Sequence, residues 1–430
     1  MKGVNRFRRL PFFYGWVIVG TAVMGMTILY GGRNSFAVFF LPILDEFGWS
    51  RASTALMFSL NLFIYGFVAP ITGSLADRWK PRAVMTAGII ILSLSTVGCA
   101  FAHELWHFYL LFGVLMPIGQ ASCGWPILGP TVVNWFVRRR GRAIGLGQIG
   151  GGLSFTFVLF TEFVISKVGW RYTFFIIAGI LIVVLLPLYL FFMYYRPEDK
   201  GMKAYGSAET AVANHLVIES SKGTNPLSNE WTLRSAMKTY QLWLLVISYF
   251  LFWGLAGYLI QAHQVKFAVD MGYSSAFAAS IFALFGICTV AGLLSASLSD
   301  WLGREKTITL STIIAFGSVL ALLSVRDNSQ PWLLYLYATC FGYANGLYWP
   351  TIHASAADIF RGRNFGAIAG LLVTGVGTGG IIGPWLGGYI YDISGSYFSA
   401  FSLCLVCFVL ACIAIWIAAP RDAAKRLRLP

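Results

Sequence analysis

Charged residues are scarce in this chain, and acidic residues are the scarcest of them. Only 11% of the 430 residues are Asp, Glu, Lys or Arg, and 17 are acidic, whereas about 25% charged residues is usual in a soluble globular domain. So few charges would leave a water-soluble protein of this length with a largely apolar surface. The composition therefore argues against a soluble enzyme or a soluble binding module.

Clusters of metal ligands and paired catalytic groups are also missing from the sequence. The cysteines all lie in apolar stretches without metal-ligand partners nearby; they are Cys99, Cys123, Cys288, Cys340, Cys404, Cys407 and Cys412. We interpret them as small buried hydrophobic residues. The apolar stretches contain no paired aspartates and no Ser/His arrangement. We therefore predict no enzymatic activity, no metal and no cofactor.

Long apolar runs make up most of the sequence. Hydrophobic residues account for 57% of the chain, and the mean hydropathy is +0.71. Runs of about 20 such residues can span a bilayer core of roughly 30 Å, and they must be helical because lipid offers the backbone no hydrogen-bond partners. We predict an all-α polytopic membrane protein with twelve transmembrane helices. Their limits are 12–41, 52–75, 82–102, 105–136, 142–166, 170–194, 240–268, 273–298, 305–325, 331–358, 364–391 and 396–419.

The basic residues are unevenly distributed between the loops. With the N-terminus placed in the cytoplasm, the inside segments hold 25 of the 31 Lys and Arg residues, and the outside loops hold four. This asymmetry indicates cytoplasmic N- and C-termini in a multi-pass protein of the cell inner membrane. It also accounts for the net charge of +14 without a nucleic-acid partner.

Short motifs repeat at nearly constant spacing. "RGRAIG" (140–145) returns as "RGRNFG" (361–366), and "GSLADRWKPR" (73–82) returns as "ASLSDWLGRE" (296–305). The repeats predict two pseudo-symmetric six-helix halves, residues 1–194 and 240–430, joined by a cytoplasmic linker at 195–239. This layout is typical of a secondary transporter with its binding site between the halves, near the membrane midplane.

The stretch "RRRGRAIGLGQIGGG" (138–152) fits three interpretations. Its arginines suggest a nucleic-acid patch, and its glycines fit the G-x-G-x-x-G pattern of a dinucleotide-binding turn. That turn needs a preceding strand and a soluble βαβ unit, and neither is predicted here. We therefore interpret the stretch as the entry of helix 5 into lipid, where small residues allow neighbouring helices to approach closely.

Several motifs carry a resemblance to a known family. The segments at 73–82 and 295–306 resemble loop signatures of the major facilitator superfamily. "WFVRRRGRAIGLGQIGGG" (135–152) and "RPEDKG" (196–201) resemble motifs of the monocarboxylate porters and their oxalate–formate relatives. The resemblance implies the major facilitator fold and transport of a small organic anion by alternating access, either proton-coupled or in exchange for another anion. Predicted helix 8 carries no charge, whereas those porters place an acid and an arginine there.

The same resemblance implies gating or structural roles for charged residues near the cytoplasmic ends of the helices. Asp77 would join the start of helix 3 to helix 11. The residues concerned are Asp77, Arg78, Arg82, Asp300, Arg304, Arg140, Arg142, Arg361 and Arg363.

Arg33 is the leading candidate for a substrate contact. An ionisable side chain within a span costs about 2.5–3.5 kcal/mol on insertion scales, so its presence needs an explanation. A guanidinium offers a planar fork that suits a carboxylate. The position of Arg33 in the first span predicts that it lies in the outer half of the cavity. The alternatives are that Arg33 extends to the outer interface or pairs with Glu162.

Other polar residues within the spans are weaker candidates. Glu162 and His263 are candidates for proton coupling, with an outer-interface carboxylate as the alternative for Glu162. His263 and Lys266 lie one turn apart and could form an outer basic entrance for anions. The remaining substrate-binding candidates, each of which could instead form a hydrogen bond between helices, are Asn34, Asn61, Tyr65, Gln120, Gln148, Gln261, Asn345, Tyr348 and His353.

The favoured function is a monomeric secondary transporter whose partners are a small anionic molecule, the lipid bilayer and, in a coupled mechanism, a proton. An exporter of apolar or cationic compounds on the same fold is the main alternative, since 16% of the residues are aromatic. A non-transporting nutrient sensor would need a cytoplasmic output module, and the 195–239 linker is short for one.

Overall fold

The computed structural model describes residues 13–79, 81–206, 231–360 and 365–420, apart from the side chains of Asp77, Arg78 and Arg140. The described residues form helices and connecting segments, and they contain no β-strand beyond an isolated parallel bridge between Phe136 and Tyr205. Helices follow from the apolar sequence because each helix satisfies its own backbone hydrogen bonds without water.

Twelve long helices run through the described residues. Helices α1 to α12 span Gly15–Phe47, Arg51–Arg78, Pro81–Ala100, Leu105–Trp135, 140–168, 170–192, Tyr240–Asp270, Ser275–Leu302, Arg304–Leu323, Pro331–Ile359, Phe365–Ser394 and Phe398–Ala418. All twelve predicted spans correspond to helices. The largest boundary error is in α1, which continues six residues beyond the predicted limit of 41.

A single glycine separates α5 from α6. The helical stretch Gly141–Phe192 contains 52 residues, which would extend roughly 78 Å as one rod, more than twice the thickness of a bilayer core. Gly169 has a left-handed φ of 82° and a ψ of 164°, so the helix is interrupted there. Glycine adopts this conformation without the steric cost that a Cβ would add.

Ten of the helical segments are long and apolar enough to cross a membrane, with α5 and α6 counted as one segment. Pro331–Ile359 (α10) is a continuous helix of 29 residues but is not among these ten. It carries the fully buried polar residues Asn345, Thr351 and Ser355. α10 is therefore less hydrophobic than the other spans because it carries polar side chains that face other helices.

Several helices that carry candidate site residues depart locally from regular α-helical geometry, among them α1, α4 and α7. α1 consists of two helices that meet at Ser35. α4 has extended backbone at Gly124, and α7 contains a π-helical segment at Phe250–Gly257. Such π segments occur frequently at functional sites.

The two ends of the helix bundle differ in the chain segments they carry. Tyr14 donates a hydrogen bond to the carbonyl of Phe192 (3.1 Å), so α1 begins where α6 ends. We call this the linker end, because residues 193–206 and 231–239 also lie there, and we call the opposite end the far end. The central part of the predicted linker, residues 207–230, is outside the described residues.

Glycines bring the first six helices against the last six. A Cβ on Gly388 of α11 would lie 2.6 Å from the backbone nitrogen of Ala52 in α2. A Cβ on Gly152 of α5 would lie 3.3 Å from the carbonyl oxygen of Gly286 in α8. The predicted packing role of the small residues in helices 5 and 11 is thus confirmed at these crossings. Toward the linker end, a Cβ on Gly370 of α11 would have no neighbour within 4 Å.

Candidate functional site

Arg33 lies close to the middle of the bundle. It is 14 residues from Phe47 at the far end of α1 and 18 residues from Gly15 at the linker end, or roughly 21 Å and 27 Å along the helix. Arg33 therefore lies slightly closer to the far end than to the linker end, and its position in the outer half of the cavity stays a prediction. The difference between the two distances is small because α1 continues to Phe47 rather than ending near Leu41.

Two tyrosine rings hold the Arg33 guanidinium. Its Cζ lies 4.7 Å from the ring centre of Tyr30, one turn earlier in α1, and 5.5 Å from the ring centre of Tyr65 in α2. The two tyrosine hydroxyls are 2.7 Å apart and share a hydrogen bond. Both rings are within the distance at which an aromatic face attracts a cation, so the guanidinium is positioned between α1 and α2.

No acidic side chain neutralises Arg33 within the described part of the protein. Arg33 is only 8% exposed and takes part in none of the ion pairs between described side chains. Its Nε is buried without a hydrogen-bond partner. Glu162 instead accepts a hydrogen bond from Ser275 of α8 (2.6 Å). Neither the alternative of an interfacial Arg33 nor that of an Arg33–Glu162 pair agrees with this geometry.

The second six helices contribute unpaired polar atoms. Gln261 Nε2 and Asn345 Oδ1 are buried and have no hydrogen-bond partner among the described residues. They lie 3.9 Å and 3.7 Å from the point that a Cβ on Gly257 would occupy. A donor from α7 and an acceptor from α10 therefore face the same small space.

Other residues that were predicted to bind substrate form hydrogen bonds between helices instead. Asn34 donates to Ser154 Oγ (2.9 Å), and Asn61 donates to the carbonyl of Phe112 (2.8 Å). Gln120 makes one long hydrogen bond to the carbonyl oxygen of Leu29 (3.4 Å), and its Oε1 is buried without a partner among the described residues.

The remaining candidates divide between core and partly exposed positions. Tyr348 is fully buried, where its hydroxyl hydrogen-bonds to Ser248 (2.6 Å). His353 is half-buried, and its Nδ1 lies 2.9 Å from the carbonyl of Trp349. Gln148 is half-buried and makes no side-chain hydrogen bond to the described residues.

His263 and Lys266 do not form the predicted basic entrance. His263 is fully buried; its Nε2 lies 2.8 Å from the carbonyl oxygen of Pro384, and its Nδ1 lies 3.1 Å from the Tyr397 hydroxyl. Lys266 pairs with Asp270 at 2.9 Å. Both basic groups are thus engaged by partners within the protein rather than directed toward an incoming anion.

The predicted gating residues are only partly described. Arg304 bonds to Asp300 (2.7 Å) and to Asp358 (2.8 Å), and Arg82 donates to the carbonyl of Met193 (3.2 Å). Arg142 is exposed. The remaining predicted gating groups lie outside the described side chains; they are Asp77, Arg78, Arg140, Arg361 and Arg363.

Sequence reasoning missed two residues of interest. Tyr30 contacts Arg33, and its i, i−3 spacing from Arg33 on one helix was the available signal. Arg51 is one of the four basic residues in the predicted outside loops and was not a candidate site residue, yet it bonds to Asp270 at 2.6 Å. No group of three or more metal-binding side chains occurs among the described residues.

Twelve long helices that enclose buried polar side chains place the protein in the class of polytopic membrane proteins. The family comparison agrees, because the Major Facilitator Superfamily matches residues 22–339 and 268–429. The chain belongs to this superfamily.

The chain is similar to several proteins that are named as transporters. The chain is 25% identical over 402 residues to monocarboxylate transporter 13 of Bos taurus, covering 90% of this chain and 85% of the relative. It is 26% identical over 408 residues to monocarboxylate transporter 11 of Homo sapiens, covering 91% of this chain and 80% of the relative. It is also 25% identical over 386 residues to the uncharacterised transporter YcxA of Bacillus subtilis, covering 87% of this chain and 88% of the relative.

A solved structure supports the fold. A bacterial homologue of the human lysosomal transporter Spinster, in an inward-facing and unoccupied conformation, superimposes with a TM-score of 0.69. It is 19% identical and covers 99% of this chain and 98% of its own. The likeness supports the major facilitator fold of this multi-pass membrane transporter.

Proposed function

We propose that the protein carries a small, monocarboxylate-like organic anion across the cytoplasmic membrane by alternating access. The observation that carries this proposal is the buried Arg33, which is held between Tyr30 and Tyr65 without an acidic partner among the described side chains. A buried cation is costly without an opposite charge. A substrate carboxylate would supply that charge and accept paired hydrogen bonds from the guanidinium. Relatives named as monocarboxylate transporters support this chemistry.

Orientation is part of the same proposal. The linker end faces the cytoplasm, because the predicted inside segments carry 25 of the 31 basic residues. The bacterial relative supports an inner-membrane location. Residues 1–194 and 240–430 act as the two moving halves of a monomer, and 195–239 connects them. The tight glycine contacts toward the far end and the wider spacing around Gly370 correspond to an inward-facing state.

The substrate contacts in the second half are Gln261 and Asn345. Their unpaired amide atoms lie near one another beside Gly257, and a polar substrate group or a bridging water would satisfy both. Coupling by a proton or by a counter-anion completes the cycle. Glu162 is the stronger proton-coupling candidate, because its bond to Ser275 joins α5 to α8, whereas both ring nitrogens of His263 have partners.

Uptake by purified protein in proteoliposomes tests the proposal. Arg33→Ala should reduce monocarboxylate uptake by about tenfold to a hundredfold, since hydrogen bonds to a charged group contribute roughly 1.5–3 kcal/mol. Arg326→Ala is the matched control, because Arg326 is exposed in a loop and its loss removes the same charge. Uptake of the anion by Arg33→Ala at the control rate, or transport of lipophilic cations by the wild type in its place, would contradict the proposal and favour the exporter alternative.

A further inference from the structure

We infer that Arg51 is a positioning residue of the transport cycle, at the centre of a latch that holds the far end of the pathway closed. The far-end latch consists of Arg51, Asp270, Asp392 and Tyr397. The inference rests on the proposed alternating access, but it concerns the movement of the two halves rather than the substrate.

The Arg51 side chain joins α2 to the second half of the molecule. Its Nη1 donates to Asp270 Oδ2 at the end of α7 (2.6 Å) and to the Tyr397 hydroxyl between α11 and α12 (2.8 Å). Its Cζ lies 3.5 Å from the ring centre of Tyr391 in α11. The side chains of Arg51 and Asp270 are 13% and 19% exposed, so water weakens this pair less than it would on an open surface.

The backbone of α2 forms a second connection. Asp392 of α11 accepts hydrogen bonds from the backbone N–H groups of Arg51 (3.0 Å) and Ala52 (2.9 Å). These groups belong to the first turn of α2, where N–H groups have no partner within the helix. The carboxylate also interacts favourably with the positive end of the helix dipole. Asp392 thus caps a helix that belongs to the other half.

Hydrogen bonds continue from the latch into the core. Tyr397 accepts from Arg51 and lies 3.1 Å from His263 Nδ1, while His263 Nε2 lies 2.8 Å from the carbonyl of Pro384. A carbonyl can only accept, so Nε2 carries the proton and Nδ1 accepts from the tyrosine. Burial raises the pKa of Tyr397, which keeps this hydroxyl protonated. This arrangement gives His263 a structural place in the closed state.

The ion pair of the latch differs from the other described ion pairs in joining the two halves. At the far end, Arg171 pairs with Glu46 inside the first half (2.6 Å), and Lys266 pairs with Asp270 inside α7 (2.9 Å). Near the linker end, the ion pairs of Arg304 stay inside the second half. Among ion pairs whose two partners are both described, only Arg51–Asp270 connects the halves.

Opening of the far end requires α2 to separate from α7 and α11, and this separation breaks the latch. Loss of the latch should therefore favour the outward-open state and slow the return to the closed state. A variant that merely destabilises the fold would instead loosen both ends.

Thiol labelling in detergent solution tests this difference without any substrate. The first reporter is Ser59→Cys, placed in a background in which the seven native cysteines are replaced by alanine. Ser59 is fully buried and accepts a hydrogen bond from the backbone N–H of Trp385 (3.2 Å), so it becomes accessible only when α2 and α11 separate. The second reporter, Gly370→Cys, lies on α11 toward the linker end, with no neighbour within 4 Å.

Arg51→Gln and Asp392→Asn should each accelerate maleimide labelling at the Ser59→Cys site by about tenfold and slow labelling at the Gly370→Cys site. Arg51→Lys, which keeps the charge, should restore part of the wild-type rate. Lys266→Gln is the matched control, because it removes a partner of Asp270 within one helix and should change both rates by less than about twofold.

Equal acceleration at both sites by Arg51→Gln would mean general destabilisation, and an unchanged rate at the Ser59→Cys site would mean that no latch exists. Either result overturns the inference. Neither depends on whether Arg33 binds an anion, so a failure of the latch is distinguishable from a failure of the proposed function.

Discussion

The pocket around Arg33 and the latch around Arg51 each surround an arginine, but only Arg51 has an acidic partner among the described side chains. Arg51 has a carboxylate at 2.6 Å and a tyrosine hydroxyl at 2.8 Å. Arg33 has two tyrosine faces and no acid among the described side chains. An arginine neutralised by its own protein stabilises one arrangement of the helices, whereas an arginine without an acid is available to a ligand.

The comparison also separates two physical tasks. Contacts of Arg51 reach across the halves, so in the proposed alternating-access cycle they break whenever the far end opens. Contacts of Arg33 lie on α1 and α2 of the first half, so they can persist while the halves move. A binding group that keeps its own neighbours through the cycle is consistent with alternating access around a fixed site.

The largest expected effect comes from giving Arg33 an internal acid. Tyr65→Glu places a carboxylate beside the guanidinium, where it competes with the substrate at high effective concentration. Uptake of the anion should fall by about a hundredfold, while thermal stability is retained. Tyr65→Gln is the uncharged control and should keep a larger share of the activity. Equal losses in the two variants would show that the missing acid near Arg33 is unimportant.

A smaller effect is expected from separating the halves at the far end. Gly388→Ala adds a Cβ 2.6 Å from the backbone nitrogen of Ala52, and backbone at that crossing cannot move aside easily. Turnover should drop by about tenfold while substrate affinity changes little. Gly366→Ala on the same helix meets no atom within 4 Å and should transport at the wild-type rate. Uptake kinetics combined with a binding titration measure both quantities, and similar turnover in the two variants would contradict the tight far-end contact.

The smallest effect is expected from removing one hydroxyl near Arg33. Tyr65→Phe keeps the aromatic face but loses the 2.7 Å hydrogen bond to Tyr30. The apparent affinity for the anion should weaken by about threefold to tenfold, with the maximal rate unchanged. A substrate titration of uptake measures the apparent affinity and the maximal rate separately. A loss as large as that of Tyr65→Glu would mean that the hydroxyl, not the charge balance, dominates the site.

The fold followed from the sequence because lipid imposes helices on long apolar runs. The repeat of "RGRAIG" as "RGRNFG" by itself indicated a division into two halves. The break between α5 and α6 at Gly169 lies between the predicted limits of helices 5 and 6, residues 166 and 170, so the sequence also located it. The extension of α1 to Phe47 was missed, because "LPILDEF" (41–47) contains a proline and two acids that usually mark the end of a span.

The site was less predictable than the fold. Arg33 was found because a charge within a span is costly, whereas Tyr30, three residues earlier on the same helical face, was missed. The partners of Arg51 lie 219 and 341 residues away in the chain, so no local pattern identified the latch. His263 looked titratable in the sequence, but the packing of α7 against α11 engages both of its nitrogens. Long-range packing therefore decides which polar residues remain available to a substrate.

The most direct test of the central claim is the thermal stability of purified protein with a monocarboxylate or with the amide of the same acid. Ligand that binds only the folded state raises the apparent stability by mass action. The account predicts that the carboxylate raises the Tm of the wild type, that the amide does not, and that Arg33→Ala shows no rise with either compound. A rise with the amide equal to that with the carboxylate, or a carboxylate effect that persists in Arg33→Ala, would contradict it.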